Sequence, residues 1–119
     1  MEQEISRLRR LNIGAGILHS LSFLAILFLS NNFSLPVQAT YLTDAPGRGK
    51  FTGSINLFNI NTGYMVAAFM ALSAFFHFFV ASPRVVNRYA DGLKTHINKY
   101  RWIEYSLSSS IMIIVIMQL

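Results

Sequence analysis

Three apolar blocks without a single Lys or Arg set the limits on what this chain can fold into. They run from Leu11 to Ser30, from Gly63 to Ala81 and from Trp102 to Leu119, and only the third holds an acid. Each approaches the roughly 20 residues that cross about 30 Å of hydrocarbon at 1.5 Å per helical residue. The pattern predicts an all-α membrane protein with three transmembrane helices, at about 7–30, 62–82 and 96–119. Arg7, Arg9 and Arg10 before the first block resemble the start of a signal peptide. The block is longer than a 7–15-residue h-region and lacks a small-x-small cleavage site after Ser30, so a retained signal-anchor helix is the better reading.

The net charge of +5 would suggest nucleic acid for a soluble chain, but here it follows membrane topology. Three of the ten cations lie in residues 1–10 and five in 82–101, whereas the longer segment 31–62 holds only Arg48 and Lys50. Cytoplasmic loops carry the excess of Lys and Arg. The N-terminus and the inner loop 83–95 are therefore expected in the cytoplasm, with the first loop outside and no nucleic-acid partner. With no cysteine in the chain, thiolate chemistry and disulfides are excluded. The third block ends without a polar flank, which suggests a chain cut from a longer one.

The outer segment 31–61 is too long for a simple connection. Val37–Thr43 has alternating character, Asp44–Lys50 carries turn residues with Pro46 and Gly47, and Phe51–Ile55 can return as a second strand. A β-hairpin is expected there, with an irregular loop as the alternative. Ser82-Pro83 should end the second helix. Thr95 or Asp91 is the candidate cap for the third.

Polar residues inside the blocks are few. Arg101, Glu104, Tyr105, Ser108 and Met112 share one stripe about 100° wide if the third block is helical. A carboxylate at membrane depth costs at least about 2.5 kcal/mol unless a partner offsets it. Glu104 therefore marks either a functional pocket or an interfacial anchor paired with Arg101, and spacing alone leaves both open. Ser106, Ser109 and Ser110 read more readily as a packing stripe than as ligands. His19 and His77 can fall in the same half of the bundle as Glu104, which makes a proton-handling cluster plausible because imidazole titrates near neutral pH. No third ligand accompanies them, so no metal is expected. No GxSxG, P-loop, HExxH or dinucleotide fingerprint is present, and no enzyme activity is expected.

The stretch Arg101-Trp102-Ile103-Glu104-Tyr105-Ser106-Leu107-Ser108-Ser109-Ser110-Ile111-Met112 resembles the heliorhodopsins. So do Leu72-Ser73-Ala74-Phe75-Phe76-His77-Phe78, Asn32-Phe33-Ser34-Leu35-Pro36 with Thr40-Tyr41-Leu42, and the position of His19. The similarity covers nearly all of this chain but less than half of that family's fold. It implies a seven-helix light-sensing retinal protein in the cell membrane, multi-pass, with a cytoplasmic N-terminus and a homodimer contacting through the outer hairpin. It further implies Glu104 as counter-ion of the protonated retinal Schiff base. Tyr105, Ser108, Ser109, Met112 and Ser73 would line the retinal pocket. His19, His77, Asn98 and Arg101 would form the inner proton network.

One departure stands out. The family attaches retinal to a lysine of its seventh helix, and here Lys50, Lys94 and Lys99 all fall outside the three blocks. The remaining helices of a seven-helix bundle would have to supply it. The competing expectation is a non-photoreactive three-helix membrane interaction or accessory protein. A light-independent proton or ion path through Glu104, His19 and His77 is a weaker third.

Overall fold

The computed structural model describes residues 2–45 and 47–118. Along the chain these form α1 (Glu2–Leu29), β1 (Ser34–Ala39), β2 (Ile55–Asn61), α2 (Thr62–Ala81), α3 (Val86–Lys94) and α4 (Lys99–Ile116). Pro46, part of the expected turn, and Leu119, the end of the third block, lie outside the described residues.

The N-terminal arm is helical from Glu2, with Glu2 and Glu4 in the first turn, where carboxylates favour the helix dipole. Helix α2 begins at Asn61, whose side-chain oxygen accepts the Tyr64 N–H at 3.0 Å. It stops at Ser82, held extended (ψ 146°) by the proline that follows. Helices α1 and α4 each pack chiefly on α2, which is the centre of the bundle. The buried residues of α2 are small: Ala67, Ser73, Ala74, Val80 and Ala81. Gly16 of α1 meets the Phe78 ring so closely that a Cβ there would lie 2.9 Å from it. Such close approach is how helices associate in lipid, where apolar burial provides little drive between them.

Large apolar side chains such as Leu18, Leu21 and Phe28 remain exposed around α1, as expected of a helix whose solvent is hydrocarbon. By length and composition α1 and α2 can cross a membrane. Helix α4 does not reach the same standard among the described residues, because it starts at Lys99 and includes Arg101 and Glu104.

The inner loop, whose stretches around Gly92 read as helix-like, holds α3, which buries Val86 and Ala90 one turn apart and packs on α1 and α2. One expectation needs correction. Neither Asp91 nor Thr95 caps α4. Asp91 pairs with Lys94 at 2.9 Å, and the Thr95 hydroxyl donates to the Gly92 carbonyl at 2.9 Å, closing α3. The cap is Asn98, whose Oδ1 accepts the Arg101 N–H at 3.1 Å.

The end of α3 is wound by two crossing bonds, Ile97 N–H to Gly92 O at 2.9 Å and His96 N–H to Leu93 O at 3.0 Å. This geometry needs a left-handed residue, usually glycine, and here His96 takes it at φ 56°. A left-handed L-residue costs roughly 1–2 kcal/mol, partly offset by the unfolded-state entropy that glycine adds. His96→Gly is therefore expected to stabilise the bundle by about 0.5–1 kcal/mol, read as a raised unfolding midpoint in detergent.

The outer segment is an antiparallel hairpin, as expected, but its ladder is shifted toward the helices. Ser34 pairs with Asn61 and Ala39 with Ile55, with an irregularity between Val37 and Gln38. Of the expected strands Val37–Thr43 and Phe51–Ile55, Val37–Ala39 and Ile55 belong to the ladder, and beyond it Leu42 bridges to Phe51 with Thr43 N–H on Lys50 O and Thr52 N–H on Tyr41 O. The strands begin where the helices end. Asn61 donates its amide to the Asn31 carbonyl at 3.0 Å, holding the two helix ends together. Pairing then starts beside them despite Asn56, Asn59 and Pro36, which are poor strand formers. Pro36 is tolerated because a two-stranded ladder leaves one side of each strand unpaired.

Candidate functional site

Glu104 is 3% exposed, at the meeting of α2 and α4. Its two carboxylate oxygens are held separately. Oε1 accepts from the Ser73 hydroxyl at 2.9 Å, and Oε2 accepts from Arg101 Nη1 at 2.7 Å. Helical spacing explains the convergence, since Ser73 and His77 are four apart on α2 and Arg101, Glu104, Tyr105 and Ser108 follow one face of α4. The Arg101 guanidinium also donates through Nε to Tyr105 Oη at 3.1 Å and lies 4.9 Å from that ring's centroid. It is fixed on three sides.

The same Arg101 Nη1 makes a long contact of 3.5 Å with His77 Nε2. On its other side His77 Nδ1 lies 3.0 Å from Asn12 Oδ1. Asn12 spends its NH2 on the Leu8 carbonyl at 3.0 Å, so its oxygen faces the ring and must accept. Nδ1 then carries the proton, and Nε2 is left to accept from Arg101. This assignment comes from the hydrogen-bond network rather than from observed hydrogens. His19 lies nearly parallel to His77, with centroids 5.3 Å apart and planes 11° from one another. A polar chain thus runs from α1 through α2 to α4: Asn12, His77, Arg101, Glu104, Ser73.

Two cavities flank it. One of about 210 Å³ is bordered by Asn12, His77, Tyr89, Asn98, Arg101 and Glu104. The other, about 320 Å³, is bordered by His19, Phe69, Ser73, Arg101, Glu104, Tyr105, Ser108, Ser109 and Met112. Ser73 and Ser108 are buried there, whereas Tyr105, Ser109 and Met112 are exposed on this chain. The structure therefore brings together every candidate named from the sequence, and Glu104 borders both spaces. Asn98 lies at the edge of the first cavity with its oxygen used as a helix cap. Ser106, Ser109 and Ser110 turn their hydroxyls back to carbonyls of their own helix. Ser106 and Ser110 have no other role here.

Asn12 was missed as a site residue. Its signal was its spacing of seven from His19, two turns along one face of α1. Phe69 was hidden among many phenylalanines.

The family model described as heliorhodopsin matches residues 8–119. The chain belongs to the heliorhodopsin family. Heliorhodopsins are retinal-binding, light-sensing membrane proteins in general, and the chain is accordingly a membrane protein of rhodopsin type. No curated protein matches it.

Proposed function

We propose that this heliorhodopsin chain forms the counter-ion wall of a retinal-binding light sensor. Glu104 is the carboxylate that opposes the chromophore's positive end. The observation carrying this reading is a buried carboxylate at the border of a cavity whose lining, beyond the His19 ring and the Arg101 guanidinium that pairs with Glu104, is aromatic, thioether and small hydroxyl. That lining suits a long apolar ligand with one cationic end. Phe69 and Met112 would contact its apolar length, and Tyr105, Ser108 and Ser109 its flank. Retinal, when bound, supplies light absorption and a charge that is displaced on isomerisation.

The chain's own residues do the rest. Ser73 and Arg101 fix both oxygens of Glu104, so the carboxylate cannot turn away from the cavity. A cation buried among apolar groups tends to lose its proton, and a neighbouring carboxylate opposes that loss. His77, one contact beyond Arg101 and stacked on His19, is the nearest base on the far side, where the smaller cavity could admit water. No lysine borders the larger cavity. Lys50 lies in the hairpin loop, Lys94 ends α3 and Lys99 starts α4. The covalent anchor is therefore assigned to helices outside these 119 residues.

In this reading α4 is the third span. It is 18 residues long, about 27 Å at 1.5 Å per residue, and its outward serines are bonded within the helix rather than left bare to lipid. The cation distribution supports a cytoplasmic N-terminus. The exposed hairpin side chains Phe33, Leu57 and Phe58 offer a surface for the homodimer.

The second reading, a non-photoreactive membrane interaction or accessory protein, is favoured by one observation. Arg101 already neutralises Glu104, so the pair can stand as a polar staple between helices with no ligand. Co-expression with a lysine-bearing four-helix complement and retinal separates the two. A visible absorption band is the expected result. A folded complex that stays colourless would leave the staple as the better account.

A further inference from the structure

We propose that the pocket between α3 and the start of α4 binds the headgroup of an anionic phospholipid. Its volume is about 520 Å³, and none of its lining residues borders the Glu104 carboxylate's larger cavity. Arg88 and Lys99 border it together with Tyr89, Tyr100, Ile97 and Ile103. Among the described residues neither cation has an acidic partner. Asp91 also borders the pocket, but Lys94 holds it at 2.9 Å. The segment 82–101 contains five cations and this single acid, so the site's charge is left for an external anion to balance.

The apolar part of the lining selects what kind of anion fits. Ile97 and Ile103 are exposed, and Trp102 beside them is 59% exposed. Ile103 is four residues into α4, so an apolar tail leaving the pocket can follow that helix toward Leu107. Trp and Tyr are the residues that settle at headgroup depth, and Tyr89, Tyr100 and Trp102 surround this point. Gly92 lets the turn beside the pocket close tightly, since Ile97 O lies 2.7 Å from where an ideal Cβ would stand. Two cations above an apolar wall fit an anion with acyl chains better than a free phosphate.

This inference rests on the reading that α4 enters the bilayer, which is tested separately. The chain has no native cysteine, so Arg84→Cys and Met117→Cys should label from opposite sides of a vesicle with an impermeant thiol reagent. The lipid site is tested on the full chain in neutral detergent by native mass spectrometry, with phosphatidylglycerol, phosphatidylcholine and inorganic phosphate as probes. Phosphatidylglycerol should be retained over phosphatidylcholine, and excess phosphate should not displace it. The double variant Arg88→Gln/Lys99→Gln should lose roughly tenfold to thirtyfold of that preference. Each single variant should lose part of it, Arg88→Lys should keep it, and Arg84→Gln, away from the pocket, should leave it unchanged. Equal retention of both lipids, an unaltered preference in the double variant, or full displacement by phosphate would each overturn the proposal. None of these readouts involves retinal or light, so their failure is distinct from failure of the photoreceptor reading.

Discussion

The Glu104→Gln variant is expected to move the visible band of the retinal-loaded assembly more than any other single substitution in this chain. Glutamine keeps the shape of the side chain, its one oxygen can still accept from Arg101 and its NH2 can donate to the Ser73 hydroxyl, so the bundle should assemble. What it removes is the negative charge facing the larger cavity. A chromophore that keeps its proton without that charge should absorb further to the red, because its ground state has lost the anion that held it down. One that drops its proton should absorb in the near ultraviolet. Either change supports the role, and a band unmoved at neutral pH would take the counter-ion assignment away from Glu104. Without retinal, the same variant weakens charge-assisted hydrogen bonds, and a loss of about 1–3 kcal/mol is expected.

Arg101→Met should carry the largest cost to the chain itself. Methionine preserves much of the side chain's length but leaves the Glu104 carboxylate buried with only Ser73 beside it. Removing one partner of a buried pair costs about 3–5 kcal/mol. The Arg101 side chain is 36% exposed, so water screens part of the interaction and about 2–4 kcal/mol is the better expectation. A double-mutant cycle makes the claim specific. In an Arg101→Met/Glu104→Gln background no uncompensated charge is left, and stability should recover toward that of Glu104→Gln alone. A cycle in which the two losses simply add would show that the pair does not act as a unit. The measurement is an unfolding midpoint in detergent for the four chains.

How far the sequence foretold these contacts depended on how each residue is placed. Arg101, Glu104, Tyr105 and Ser108 lie on a single helix, so spacing alone fixed their common face. His19 and His77 required only that two antiparallel helices pack, and their stacking follows from that. The small buried residues of α2 were visible as letters, but not which face of which helix they would meet. The hairpin's existence was legible from its turn residues. Its register was not, because the decisive contact, Asn61 to the Asn31 carbonyl, depends on where two helices end in space. Asn98 was read as a network member for the same reason: its role as a cap is visible only once α4 is seen to start at Lys99. Helix α3 was legible as a helix-like stretch by Gly92, but its packing on α1 and α2 was not. Asn12 needed the orientation of a neighbour's ring before it could mean anything.

The tether from Asn12 to the Leu8 carbonyl has a mechanical corollary. With that amide pinned, the imidazole of His77 has one lone pair, on the Nε2 that points toward α4 and makes the long contact with Arg101. A proton reaching it from that direction has a single landing place. It could pass no further toward α1, because the next oxygen already receives the ring's own hydrogen and the amide cannot turn over without breaking its tie to the backbone. If His77 takes up a proton, as the resemblance to the family implies, the path is a cul-de-sac that holds the proton and hands it back the way it came.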